Sequence, residues 1–207
     1  VGPLSLVRAL EHFRAAWSAS GLRGLGLFTD GEAIVRAFVR DQGVVDHRDV
    51  LALEQPFELS VGPFTVVGAI DRVDRVGEEA IEVIDYKTNV QLFRAEEVES
   101  SLQLSLYQLA AQRLWPWARE VRLTFHMLRH GVRQATRRTP DQLEAALGYV
   151  ESLGRQTETA TEFPARLGPG CAHCDQRQHC AAYTAALQDP TDVAAALPEA
   201  LDAVARE

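Results

Sequence analysis

The stretch GAIDRVD at Gly68–Asp74, followed by VIDYKT at Val83–Thr88, contains two aspartates and a lysine within two extended apolar runs. A turn near position 78 separates the runs, so they predict an antiparallel hairpin. Asp71 and Asp85 are equidistant from that turn, and such residues face each other in a hairpin. Lys87 lies two positions after Asp85, on the same face of its strand. The stretch therefore predicts two carboxylates and an ammonium group at one strand end.

This set of side chains suits phosphodiester hydrolysis. Carboxylate oxygens are hard ligands for Mg²⁺ or Mn²⁺, and these cations keep coordination sites for water and for a substrate phosphate. A nearby lysine can orient the attacking water and stabilise charge that develops in the transition state. An isolated D-x-K pattern more often belongs to a solvated strand face, but the opposed Asp71 favours a metal site.

The pattern outside the hairpin predicts an α/β fold with a central mixed sheet and helices on both faces. We expect residues 1–165 to form this core and residues 166–207 to form a cysteine-containing loop and terminal helices packed on it. Apolar spacing and turn residues predict helices at 6–21, 30–43, 96–115, 141–157, from 181 and at 192–207, and strands at 51–61, 64–74, 80–88, 121–129 and 132–138.

Composition limits how the protein contacts its partners. The formal net charge is −8, which argues against binding nucleic acid by overall electrostatics. Any DNA contact is expected to be local, for example along Arg129, Arg133, Arg137 and Arg138. The sequence has no long apolar run typical of a membrane span and no secretory signal. We therefore expect an intracellular protein that does not contact membranes, and the start at Val1 suggests a piece of a longer chain.

All three cysteines of the sequence lie between Cys171 and Cys180. They are too few and too clustered for a disulfide framework, and this spacing in a cytosolic chain suggests a metal site. Together with His173 or His179, the cysteines could form a tetrahedral zinc site. Reduced thiols without metal are the alternative.

The quoted stretches closely resemble the GxxDRxD and DYKT motifs of RecB-type nuclease domains, which belong to the PD-(D/E)xK class. Gln103 and Tyr107, in LQLSLYQLA, resemble the Q-x-x-x-Y motif that follows DYKT in those domains. Cys171, Cys174 and Cys180 resemble the C-x-x-C-x5-C segment of the AddB-like subset with an iron staple. The resemblance extends in order over roughly residues 1–185.

The resemblance implies a restriction-endonuclease-like fold and a deoxyribonuclease that depends on Mg²⁺ or Mn²⁺. It assigns Asp71 and Asp85 as metal ligands, the Tyr86 carbonyl as a further ligand and Lys87 as the catalytic lysine. It also implies that the three cysteines hold a 4Fe-4S cluster in the intact protein, with a fourth cysteine that is absent from this chain.

Three further positions follow from the same resemblance. Gln103 is expected to take part in catalysis and, with Tyr107, to line the site and contact DNA. Glu54 matches an acidic position that recurs before the GxxDRxD strand in some relatives, although an exposed strand glutamate explains it equally well.

The sequence also departs from the RecB-type pattern. These domains usually have a metal-binding histidine in an N-terminal helix, within G-x-x-x-H-x-x-L. The stretch from Gly2 to Leu10 resembles that setting, with Leu6 or Val7 in place of the histidine. His12 lies further along, and a core or surface role explains it better than metal binding.

The resemblance implies an exonuclease or endonuclease module of a helicase–nuclease that acts on single-stranded DNA in repair or recombination, in the cytoplasm near the nucleoid. The helicase motor would be another domain or subunit, because the sequence has no G-x-x-x-x-G-K-[ST] phosphate loop. One alternative is a catalytically inactive scaffold that binds DNA or a partner subunit, and another is an independent site-specific endonuclease.

Overall fold

The computed structural model describes residues 5–22, 24–42, 48–168, 170–171 and 174–188. The chain separates into two compact units, residues 1–155 and 156–207. The domain boundary expected at 165/166, and the packing of the second part on the first, stay predictions. The helix predicted at 192–207 lies outside the described residues.

The helices and strands alternate along the chain up to residue 159 much as the sequence pattern predicts. In chain order they are α1 (Leu6–Ser20), α2 (Leu25–Gln42), β1 (Val50–Val61), β2 (Phe64–Arg75), β3 (Ala80–Lys87), α3 (Ala95–Glu99), α4 (Leu102–Leu114), β4 (Glu120–Met127), β5 (Val132–Thr136) and α5 (Pro140–Thr159). The second unit contains a 3-10 turn at Arg177–His179 and α6 (Ala181–Gln188).

The five strands form one mixed sheet in the order β1-β2-β3-β4-β5. Neighbouring strands are antiparallel, except that β3 and β4 are parallel. A parallel pair requires a crossover connection, which α3 and α4 provide here. Because α4 covers one face of β3 and α2 contacts the other, the predicted mixed sheet with helices on both faces is confirmed.

The hairpin of β2 and β3 has the predicted register. Its pairs run from Arg75 with Ile81 to Arg72 with Ile84, so the turn is centred at position 78 as expected. The next positions along the two strands are Asp71 and Asp85. The ladder therefore ends where the two aspartates begin.

Successive side chains of β3 lie on opposite faces of the sheet, and both faces are buried. Ile81 and Val83 are fully buried in the main apolar core, together with Leu104 of α4. Burying a side chain of this size contributes roughly 1.5–3 kcal/mol. The same face of β3 continues to Asp85 and Lys87, so the core fixes the strand that carries them.

The single helix predicted at 96–115 is wrong, because the chain forms the separate helices α3 and α4. The side chain of Ser101 caps α4 by accepting the Leu104 N–H at 3.3 Å. Buried Arg138 donates to the Val98 carbonyl at 2.8 Å and to the Ser101 carbonyl at 3.2 Å. These hydrogen bonds satisfy backbone carbonyls where α3 ends and α4 begins. Their donor, Arg138, is distant in sequence.

Candidate active site

Asp71 lies on β2, immediately beyond the last ladder pair. Its Oδ2 accepts the backbone N–H of Tyr86 at 2.8 Å. This hydrogen bond takes the place of the next strand pairing, and it fixes the Asp71 carboxylate beside the end of β3. The predicted juxtaposition of Asp71 with the DYK segment is therefore present.

Asp85 is 2% exposed, on the face of β3 that α4 covers. Its Oδ1 accepts a hydrogen bond from Gln103 Nε2 at 2.8 Å. Lys87 Nζ lies 2.7 Å from Oδ2, which is close enough for an ion pair. The Lys87 ammonium is therefore the charged partner of this buried oxygen.

The electrostatic environment of Asp85 is unfavourable to its charged form. Burial raises the pKa of Asp85, the interaction with Lys87 lowers it, and the nearby Asp71 carboxylate raises it, with a net increase. A divalent cation between the two carboxylates would offset both burial and repulsion. The two neighbouring carboxylates therefore fit Mg²⁺ or Mn²⁺, which favour carboxylate oxygens.

Lys87 is held between polar and aromatic neighbours at the end of β3. Its Nζ donates to Gln103 Oε1 at 2.9 Å and lies 5.0 Å from the centre of the Phe125 ring. The lysine side chain keeps 22% exposure. An ammonium group in this position remains accessible to a substrate while the amide and the ring restrict its movement.

The side-chain amide of Gln103 links the other members of the site. Its Nε2 donates to both Asp85 Oδ1 and the Tyr107 hydroxyl, the latter at 3.0 Å, while its Oε1 accepts from Lys87. Burial, as the largest cause, raises the pKa of Tyr107 to about 12, so the phenol stays protonated at neutral pH. The DNA contacts expected of Gln103 and Tyr107 stay predictions, and both side chains bind protein groups here.

Glu54 lies opposite Asp71 in β1, between the pairs Leu53 with Arg72 and Gln55 with Ile70. Its φ is 48°, a left-handed conformation that is unusual for a residue other than glycine. The side chain is exposed. Across the described ranges, no three His, Cys, Asp or Glu side chains form a group that could hold a metal, so Glu54 stays a candidate only.

The residues aligned with the missing histidine lie partly outside the described residues, since Gly2 is not among them. Leu6 and Val7 belong to α1 and are 37% and 67% exposed. His12 is an exposed residue of the same helix. This part of α1 therefore presents apolar side chains where the RecB-type pattern has a metal ligand.

The expected arginine strip is largely engaged within the protein. Arg138 is 7% exposed, so its place in a DNA-binding surface is wrong. The other three arginines each form an ion pair: Arg129 with Asp30, Arg133 with Glu82 and Arg137 with Glu120. Local positive charge for DNA is thus smaller than the sequence alone predicts.

The three cysteines of the second unit are free thiols. Cys171 and Cys180 are half-buried and pack near Tyr183, whereas Cys174 is exposed. As placed, they are not a metal-binding group among the described residues. His173 lies outside those residues, and the iron–sulfur and zinc assignments stay predictions.

The opposite face of the sheet carries a second polar network, and sequence reasoning did not identify the part of it that surrounds Glu82. Glu82 accepts from Thr124 Oγ1 at 2.6 Å and from Arg133 at 3.4 Å. Arg72 donates to Asp74 at 2.7 Å. The parallel pairing of β3 with β4 brings Thr124 near Glu82, and it also places Phe125 beside Asp85. No sequence pattern indicated that pairing.

Comparisons with known proteins agree with this fold. No curated protein matches the sequence, and no helix in the described part of the chain is both long and apolar enough to span a membrane. A family described as the PD-(D/E)XK nuclease superfamily matches residues 3–181. Since this match covers most of the chain and the sheet has the corresponding mixed topology, the chain belongs to the PD-(D/E)XK nuclease superfamily.

Proposed function

We propose that this chain is the metal-dependent deoxyribonuclease module of a RecB-type helicase–nuclease, acting on single-stranded DNA in repair or recombination. The observation that supports it best is the group at the end of the β2–β3 ladder. There, the buried Asp85 carboxylate lies near Asp71, is ion-paired with Lys87 at 2.7 Å and has a raised pKa. A buried carboxyl group whose pKa is shifted by burial and by a second carboxylate is typical of a functional site.

Asp71 and Asp85 would hold one divalent cation, with the carbonyl of Tyr86 as a further ligand. Such a cation supplies Lewis acidity and an attacking water of lowered pKa. The Tyr86 N–H keeps the Asp71 carboxylate oriented, and Gln103 does the same for Asp85. The protein therefore contributes a preorganised pair of carboxylates, so little reorganisation is needed when the reaction begins.

Lys87 would orient the attacking water and stabilise the negative charge of the phosphorane. Its ammonium is held by the Gln103 amide oxygen and by the Phe125 ring. The direction of the Gln103 amide is fixed, because its nitrogen faces a carboxylate and its oxygen faces an ammonium. Gln103 thereby couples the position of the lysine to that of the metal-binding aspartate.

The DNA strand would be delivered by a partner. The net charge of −8 and the pairing of Arg129, Arg133 and Arg137 leave little free positive charge along the expected strip. A motor domain or subunit that feeds a single strand to the site would remove the need for strong DNA binding here. The protein is then expected near the nucleoid, and a cluster on the cysteines would need a ligand from beyond this chain.

The direct test is cleavage of a labelled single-stranded DNA by this chain with Mg²⁺ or Mn²⁺. We expect cleavage that EDTA abolishes and that Asp85→Ala and Lys87→Ala eliminate. Glu120→Ala is a matched control, because Glu120 is an exposed carboxylate of the same sheet. Equal cleavage by Asp85→Ala and the parent chain would refute the site.

The inactive scaffold is the second candidate, and the absent histidine favours it. It predicts that the chain binds DNA or a partner subunit and does not cleave DNA under any metal condition. Absence of cleavage in this chain and in a form extended at its N-terminus, together with no metal binding by calorimetry, would establish the scaffold.

A further inference from the structure

Arg129, in the turn after β4, contacts the chain next to the proposed catalytic lysine. Its Nε donates to the carbonyl of Thr88 at 3.2 Å. Thr88 directly follows Lys87 in sequence. The neighbouring Leu128 N–H donates to the Lys87 carbonyl at 2.8 Å. Two consecutive residues after β4 therefore hold two consecutive carbonyls at the end of β3.

The remainder of the Arg129 guanidinium is held by α2. Its second terminal nitrogen donates to Asp30 Oδ2 at 2.6 Å, and its first terminal nitrogen donates to Asp30 Oδ1. A bidentate arginine–carboxylate pair fixes the plane of the guanidinium as well as its position. Asp30 thus sets the direction from which Arg129 reaches Thr88.

Helix α2 also contacts the residue on the other side of Lys87. Phe38 packs edge-on against the Tyr86 ring, with 5.6 Å between the ring centroids. No residue of α2 is fully buried, so α2 lacks a deeply buried apolar anchor. Helix α2 therefore contacts the chain on both sides of Lys87. Phe38 contacts Tyr86 directly, and Asp30 is linked to Thr88 through Arg129.

The charge state of the pair agrees with this geometry. The hydrogen bond to Arg129 lowers the pKa of Asp30, and the hydrogen bond to Asp30 raises the pKa of Arg129. Both groups are therefore charged at neutral pH. With its nitrogens turned to Asp30 and Thr88, the guanidinium is poorly placed to bind a DNA phosphate.

We infer that Arg129 is a positioning residue, held by Asp30 of α2, that fixes the strand end carrying Lys87 and thereby sets the rate of phosphodiester cleavage. The inference rests on the proposed nuclease function for its kinetic part. Its structural part concerns the end of β3 and is independent of activity. A displacement of about 1 Å in a reacting group is enough to change rates strongly.

Amide hydrogen exchange tests the structural part in the 207-residue chain. In Arg129→Met and in Asp30→Asn, we expect the Leu128 N–H, which donates to Lys87, to exchange about tenfold faster than in the parent. Arg119→Met is the control, because Arg119 forms an exposed pair with Glu79 at the opposite end of β4. Unchanged exchange in both variants, with folding verified by urea denaturation, would overturn the inference.

Steady-state cleavage tests the kinetic part. We expect both variants to lower kcat by about tenfold, with the KM for DNA and its salt dependence unchanged. Arg129→Lys keeps the positive charge but cannot form the bidentate pair. Its kcat is expected to lie between those of the parent and Arg129→Met. A phosphate-binding arginine would instead raise KM and reduce the salt slope on mutation to Met, and Asp30→Asn would not slow the reaction. That pattern would overturn the positioning role.

The two proposals can fail separately. Faster exchange at Leu128 in Arg129→Met and Asp30→Asn, together with a parent chain that never cleaves DNA, would overturn the nuclease function and leave the structural link intact. Cleavage by the parent chain, with exchange and kcat unaffected in Asp30→Asn and Arg129→Met, would overturn only the positioning role.

Discussion

Each face of β3 carries a buried carboxylate, but the two carboxylates have different neighbours. On one face, Glu82 has a hydroxyl and a guanidinium for its two carboxylate oxygens. On the other, Asp85 has Gln103 and Lys87 for its two oxygens, but burial and the nearby carboxylate of Asp71 raise its pKa. One strand therefore carries a carboxylate with neutral and cationic partners on one face, and a carboxylate next to a second carboxylate on the other. The first arrangement is typical of structural support, whereas two neighbouring carboxylates are where a cation is expected.

The largest expected effect distinguishes two aspartates of one strand, Asp71 and Asp74. Asp71→Asn is expected to lower cleavage on the order of 10²–10³-fold, because under the proposed function it removes a carboxylate charge that would hold the divalent cation. Asp74→Asn removes a partner of Arg72 and is expected to lower stability with little change in kcat per folded molecule. Metal titrations of the cleavage rate and urea denaturation measure the two effects. Equal kinetic loss in both variants would contradict the assignment of the two faces.

The second expected effect concerns the amide that joins the site. Gln103→Leu removes the contacts to Asp85, Lys87 and Tyr107, and we expect a decrease of about 10–100-fold in activity or metal affinity. Tyr107→Phe removes one partner of that amide and is expected to have a smaller effect in the same direction. Cleavage rates measured across a range of Mn²⁺ concentrations test both variants. A parent-like rate in Gln103→Leu would show that the lysine and aspartate need no linking amide.

Substitutions on the opposite face of β3 are expected to change the stability of the protein but not its activity. Glu82→Ala leaves Thr124 and Arg133 without their carboxylate, and we expect a decrease of about 1.5–3 kcal/mol in the free energy of unfolding. Glu82→Gln preserves an acceptor for Thr124 and should cost less. Urea denaturation gives the stabilities, and kcat normalised to folded protein should not change. A change in metal dependence without a loss of stability would place Glu82 in the catalytic site.

The smallest expected effect is the pH dependence from His126. Burial, with a further contribution from Arg133, lowers the pKa of His126 below its usual 6.5, and its Nδ1 has no hydrogen-bond partner. The unfolded chain therefore binds a proton first as the pH falls below about 6.5, and the folded state loses stability until the lower folded pKa is passed. His126→Phe should remove this part of the slope in urea midpoints measured between pH 7 and 5. An unchanged slope would assign the titration to other groups.

Much of the candidate site could be anticipated from short-range sequence patterns. The symmetry of the β2–β3 turn predicted the register that brings Asp71 and Asp85 to neighbouring positions, and the ladder has that register. Period-two alternation predicted Lys87 on the same face as Asp85, and Lys87 Nζ lies 2.7 Å from Asp85 Oδ2. These inferences hold because hairpin register and strand alternation depend on covalent spacing and hydrogen-bond geometry alone.

Other features required partners far apart in the sequence. The helix predicted at 96–115 is broken where Arg138 satisfies the carbonyls of Val98 and Ser101. The arginine strip fails at Arg138 for the same reason, because a guanidinium buried by tertiary contacts cannot serve as a surface charge. Charge counted along a sequence does not reveal which charges are already paired.

The sequence by itself determined the hairpin, the superfamily motifs and the order of acidic, basic and amide groups along the chain, since each depends on residues close together in sequence. Only the tertiary structure decided which of those groups have hydrogen-bond or ion-pair partners within the protein. The parallel pairing of β3 with β4 places Phe125 beside Asp85, and the packing of α2 places Asp30 against Arg129. Both depend on long-range packing, in which burial and electrostatics act between segments that covalent spacing leaves independent.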